Sequence, residues 1–232
     1  MIARHFLLAL LLLPAAAHAD TQRETIGSFD RVRIAGPFEV RIATGKSPSA
    51  LVDADRDTLD LVTTRLDGTT LVVGFGNSGW GEQARSPKGV VTVTLSTPAL
   101  RAVVVTAGAR VTIAGMKGQR VDLSVNGTGT LSATGVSADE LYATLIGSGS
   151  IALSGSSRRA QLVSSGAGTI DATGLLANDL TVRLDGSGET RAAARSTAKV
   201  TTTGMGGVTV LGTPSCVVKA MAGGPVTCGG KD

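Results

Sequence analysis

The chain has 232 residues, a net charge of +4 and almost no aromatic side chains. Its two histidines, His5 and His18, both precede Asp20, so a mature chain starting there carries none. That excludes Ser-His-Asp and Cys-His catalysis, a histidine general base and histidine-ligated zinc. The basic residues are scattered and aromatic stacking partners are scarce, so nucleic acid is not an expected partner.

The N-terminus reads as a secretory signal peptide over residues 1–19. Arg4 and His5 start it, Phe6 to Leu13 form an apolar run, and Ala17-His18-Ala19 offers small residues for cleavage between Ala19 and Asp20. The run is shorter than the ~20 apolar residues a membrane-spanning helix needs. No cysteine follows the cleavage point, so no lipid anchor is indicated, and no transmembrane segment is expected in the mature chain. The expected location is the periplasm or the cell exterior.

Residues 20–88 are expected to be β-rich and to cap or extend the repeating region C-terminal to them. Val32-Arg33-Ile34 and Val40-Arg41-Ile42 alternate around Gly36-Pro37, as strands about a turn do. Leu59, Val62 and Leu66 fit either a short helix or a further strand. Leu71-Val72-Val73 follows a turn at Asp67-Gly68. Gly74 to Gly89, with Trp80, reads as a long surface loop.

Residues 89–232 repeat. Gly-Thr-Gly at 127–129 recurs at 147–149, 166–168, 186–188 and 204–206 with other middle residues, and degenerate copies lie at 107–109 and 222–224. Two positions after each pair stand Val111, Leu131, Ile151, Ile170, Thr190, Val208 and Val226, eighteen to twenty residues apart. Next inward come Ile113, Ala133, Leu153, Ala172, Ala192, Val210 and Cys228. Upstream run two more columns: Val103, Leu123, Ala143, Leu162, Val182, Val200, Val218, and Val105, Val125, Leu145, Ser164, Leu184, Thr202, Ala220. The alternation has period two, which is strand with one face inward. Each repeat thus reads as strand, Gly-x-Gly corner, strand, second glycine corner, then a short loop such as Val136 to Glu140. A constant period with like residues in like columns predicts coils stacked on one another. The expected fold is all-β: a right-handed, single-stranded parallel β-helix of about 18–20 residues per coil. With ~4.8 Å between coils, seven coils make a rod of roughly 30 to 35 Å.

These columns, with Phe29, Gly36, Val91-Thr92-Val93-Thr94-Leu95 and Pro98-Ala99-Leu100, resemble the putative auto-transporter adhesin head GIN domain family over nearly the whole mature chain. The resemblance implies a right-handed parallel β-helix, export and no established activity. Thr130, Ser150, Thr169, Glu189 and Gly207 stand where that family often has Asp, so the converging carboxylates that calcium requires are missing from the turns. No Lys-Ser/Thr follows the glycine pairs, so they are not phosphate loops either. No cofactor and no metal are expected.

The expected function is a non-catalytic, adhesin-head-like binding module, with an envelope glycan or a protein surface as partner. The alternative is a β-helix enzyme acting on envelope or extracellular polysaccharide, which needs two carboxylates across a cleft. Asp53 and Asp55 alternate on one strand and are the best local pair, while Asp185 and Glu189 flank one glycine turn. Trp80 is the aromatic placed most like a binding residue. Cys216 and Cys228 fall in two different inward columns of the last coils and are expected to form a disulfide that pins the end of the rod.

Overall fold

A computed structural model describes residues 20–24, 26–76 and 89–230. The expected signal peptide, Ala19 of its cleavage point, and Trp80 lie outside the described residues.

The chain is a parallel β-solenoid with an antiparallel fringe at one end. In chain order the elements are β1 (Asp20–Glu24), β2 (Arg31–Ala35), β3 (Glu39–Thr44), β4 (Ser49–Ala54), a single helical turn α1 (Arg56–Leu59), β5 (Val62–Asp67), β6 (Thr70–Phe75), β7 (Thr92–Thr97) and β8 (Ala102–Thr106). The long coil strands follow: β9 (Arg110–Gly127), β10 (Thr130–Gly147), β11 (Ser150–Gly166), β12 (Thr169–Gly186) and β13 (Glu189–Thr202). The last coils are β14 (Gly207–Gly212), β15 (Ser215–Ala220) and β16 (Val226–Gly230).

The columns read from the sequence are the registers of the sheet. Val111 pairs with Leu131, Leu131 with Ile151, Ile151 with Ile170, Ile170 with Thr190, Thr190 with Val208 and Val208 with Val226. The upstream column runs Val103, Leu123, Ala143, Leu162, Val182, Val200, Val218 in the same unbroken order. From Val111 to Val208 and from Val103 to Val200 every member is buried. Each leucine, isoleucine or valine so enclosed contributes about 1.5–3 kcal/mol relative to exposure. Alanines at 133, 143, 172 and 192 keep the cross-section thin.

One expected loop is a strand. Residues 136–140 pair in register with both neighbouring coils: Val136 with Met116, Ala138 with Gly118 and with Ser157, Glu140 with Arg120 and with Arg159. Each coil therefore has three faces. Within β10 the buried residues are Leu131 and Ala133, then Val136 and Ala138, then Leu141, Ala143 and Leu145. The alternation slips by one residue at each corner, and such a slip in a two-residue period looks like a break when it is read along one chain.

The two glycines of each corner answer different demands. At Gly127, Gly147, Gly166 and Gly186 the first has a positive φ, 136° at Gly186, open to glycine and strained for other residues. The second has no such dihedral. At Gly206 a Cβ would lie 2.0 Å from the Gly188 carbonyl oxygen, and at Gly168 2.5 Å from that of Gly149. Close approach of stacked backbones, rather than dihedral freedom, makes the second glycine necessary.

The N-terminal strands enter the stack out of sequence order. β2 lies between β6 and β8, with Val32 facing Leu71 on one side and Val103 on the other. β3 lies between β7 and β9, with Val40 facing Val93 and Val111. The chain thus lays down an inner coil first, crosses to the outside to build β6 and β7, then returns to continue the rod. β4 pairs antiparallel on β7 and carries β1 antiparallel on its other side, and β5 pairs antiparallel on β6. Leu59, Val62 and Leu66, open between helix and strand, divide between the two: Leu59 ends α1, and Val62 and Leu66 belong to β5. At the other end a Cys216–Cys228 disulfide joins β15 to β16, with Cα atoms 6.3 Å apart.

Candidate functional site

The outward columns carry the chemistry, because the inward ones fill the core. One of them is a ladder of alternating charge. Arg120, Glu140, Arg159, Asp179 and Thr197 sit on successive coils in register. Arg159 pairs with Glu140, and Thr197 donates its hydroxyl to Asp179 at 2.7 Å. Exposed pairs of this kind contribute about 0–1 kcal/mol each, so they fix side-chain positions more than they stabilise the rod.

Beside the ladder runs the column Asp122, Tyr142, Gln161, Thr181. Alternation within β10 sends Leu141 and Ala143 inward and Tyr142 outward. The Arg120 guanidinium carbon lies 4.1 Å from the centroid of the Tyr142 ring, a cation–π contact. Arg120 is itself held by a two-pronged pair with Asp122, at 2.8 and 2.9 Å. That hydrogen bond is the main reason the guanidinium holds its proton even more firmly than usual. Tyr142 donates its hydroxyl to Glu140 at 3.4 Å.

Arg120 comes from the coil before Tyr142. On the side of the following coils an open groove of about 230 Å³ is lined by Tyr142, Glu140, Arg159, Gln161, Asp179 and Thr181. A ring backed by a cation and facing converging amide, hydroxyl and carboxylate groups is a small polar recognition surface. A wider groove of about 380 Å³ lies on the third face, among Asp139, Arg158, Asn178 and Arg195, with Arg158 paired to Asp139 at 2.9 Å. It offers no aromatic platform.

Asp53 and Asp55, the local pair named for the enzyme alternative, lie on different elements. Asp53 lies in β4, opposite Thr92 of β7 and Thr21 of β1. Asp55 has left the strand: its backbone carbonyl accepts the Thr58 and Leu59 amides at the start of α1. Neither residue lines either of these grooves. Asp185 is held below the ordinary carboxylate range by the Thr203 hydroxyl and then by Arg183. Asp171 is lowered by the Thr173 hydroxyl and amide. Both shifts favour the ionised form, the opposite of what a general acid needs. Among the described residues no three His, Cys, Asp or Glu side chains gather as a metal site would require. No helix among them is long and apolar enough to cross a membrane.

Stacked coils with polar outer faces and a disulfide at one end define a parallel β-solenoid. The family model "Putative auto-transporter adhesin, head GIN domain" matches residues 28–214, and the chain belongs to that family. Among solved structures, a putative adhesin from Bacteroides fragilis is 17% identical with a TM-score of 0.75, covering 93% of this chain and 96% of its own. A putative lipid binding protein from Parabacteroides distasonis is 20% identical with a TM-score of 0.73, covering 94% and 98%. A putative adhesin from Parabacteroides merdae is 19% identical with a TM-score of 0.70, covering 91% and 96%. At these identities the likeness is one of fold. No curated protein matches the chain.

Proposed function

We propose that the chain is an exported, non-catalytic binding module of the adhesin-head type that holds an envelope or extracellular glycan against its Tyr142 face. The groove beside Tyr142 carries this reading. A sugar ring can lay its C–H face on the aromatic ring while Gln161, Thr181 and Asp179 exchange hydrogen bonds with its hydroxyls. One such groove is weak, and many copies at an envelope gain avidity. The disulfide supports export to an oxidising compartment, as does the family. The lipid reading attached to one structural neighbour draws little from outward columns such as Thr112, Ser132, Ala152, Asp171, Arg191 and Thr209.

The test is a glycan array probed with purified protein, run beside a reducing-sugar release assay. Binding without release is expected. Tyr142→Ala should weaken it about tenfold, equivalent to a loss of about 1.4 kcal/mol, with the unfolding curve unchanged because Tyr142 points outward. Measurable turnover would overturn the reading, and full binding by Tyr142→Ala would remove the groove from it.

A further inference from the structure

The two ends of the rod are finished differently. At the N-terminal end antiparallel β4 and β5 cover the last parallel coil. At the other end β15 pairs with β13 and β16 with β14, and no described strand covers their outer edges. The inward columns open there. Val182 and Val200 are 0% exposed, and Val218, next in that column, is 44% exposed. Cys216 and Ala220 are exposed as well, where Ala198 and Thr202 of the preceding coil are buried. Met205 and Met221 stand at the adjoining corner, 69% and 74% exposed. Four of the seven large exposed hydrophobic residues among those described (Met205, Val217, Val218 and Met221) gather at this end.

We propose that this end is a dimerisation surface, on which β15 pairs antiparallel with β15 of a second copy about a two-fold axis. A free strand edge with an open apolar column calls for another strand. The fold already closes its opposite end with antiparallel strands, and a two-fold related copy presents an antiparallel strand of identical sequence.

The sequence of β15 suits pairing with itself. Residues opposite one another in an antiparallel pair point to the same face. Inward residues therefore meet inward residues when the axis passes through Val218. Val218 then faces its own copy, Cys216 faces Ala220, and Val217 faces Lys219. Lys219 is the sole charged residue from 215 to 230, and this register never sets it opposite itself. Like charges across a pair, the usual obstacle to self-pairing, are absent. Pro225 lacks an N–H at the entry to β16, which favours β15 as the pairing strand. The Cys216–Cys228 bond ties the two edge strands together and presents them as one surface.

The experiment is sedimentation velocity of residues 20–232 over about a hundredfold range of concentration, because dimerisation follows mass action. The wild type is expected to shift from monomer toward twice the mass as concentration rises. Val218→Arg places two like charges on the axis and should abolish the shift. Met221→Arg should weaken it and guards against misfolding of the first variant. Ile146→Arg, at an equally exposed residue in the middle of the rod, should dimerise as the wild type does. Circular dichroism checks that each variant is folded. A wild type that stays monomeric throughout, as it would if the end served a different partner, overturns the proposal. So does a dimer that persists in folded Val218→Arg.

Discussion

Replacing Gly186 by alanine is expected to destabilise the protein by more than about 3 kcal/mol, among the largest effects of any single methyl group in the chain. Two costs coincide there. The residue holds φ at +136°, and a Cβ would lie 2.3 Å from the Gly166 carbonyl oxygen and 2.8 Å from its nitrogen. Those atoms are backbone of the coil beneath, locked in the sheet, and cannot swing away as a side-chain tip would. Two further glycines separate the terms. Gly68 has φ +59° with nothing within 4 Å of the added carbon, so Gly68→Ala should cost only about 1–2 kcal/mol of dihedral strain. Gly206 lacks a positive φ but would meet the Gly188 oxygen at 2.0 Å, so Gly206→Ala should fall near Gly186→Ala.

Because each coil contacts its neighbours alone, the loss should be local. Hydrogen exchange in Gly186→Ala should speed up from about residue 186 to the C-terminus while amides of β9 and β10 stay protected. Uniform loss of protection, or a Gly206→Ala variant no weaker than Gly68→Ala, would contradict a stacking role for the second glycine.

How much of this architecture the sequence disclosed depends on where contacts follow the period. Columns such as Val111, Leu131, Ile151 and Ile170 were readable because each partner lies one period along the chain. The cysteines joined their columns by the same reasoning, ahead of any geometry. The third face was hidden by its corners. Between Ala133 and Val136, and again between Ala138 and Leu141, alternation loses its phase, and Val136 to Glu140 imitates a loop. The place of β2 and β3 was not readable at all. Val32 meets Val103 across a separation unrelated to the repeat, and the later strands β6 and β7 fill the position that sequence order would not assign them.

The candidate site was missed for a different reason. Tyr142 stands between inward Leu141 and Ala143, so alternation alone places it outside. Arg120, Glu140, Arg159 and Asp179 alternate in sign at the repeat spacing. Columns of outward residues would have exposed both signals. Apolar columns are easier to see, because burial restricts their residue types and exposure leaves outward positions free to vary.

The same chemical change should have opposite signs at buried threonines of two kinds. Thr190 occupies the column of Ile170 and Val208, is 0% exposed, and its hydroxyl has no hydrogen-bond partner. A buried hydroxyl without a partner costs about 1–3 kcal/mol of desolvation. Valine has nearly the same shape and no such group. Thr190→Val should therefore stabilise the protein by about 1–2 kcal/mol in chemical denaturation. Thr202→Val should act alike, because Thr202 is also fully buried with its oxygen unpaired. Thr97 is just as buried, but its hydroxyl donates to the Phe29 carbonyl. Thr97→Val removes that donor and leaves the acceptor short of a partner, so it should destabilise by about 1–3 kcal/mol. A stabilised Thr97→Val or a destabilised Thr190→Val would mean that side-chain volume, rather than hydrogen bonding, governs these positions. With the predicted signs, Thr97 ties the N-terminal strands together, while Thr190 and Thr202 carry hydroxyls that the coil stack tolerates at a cost.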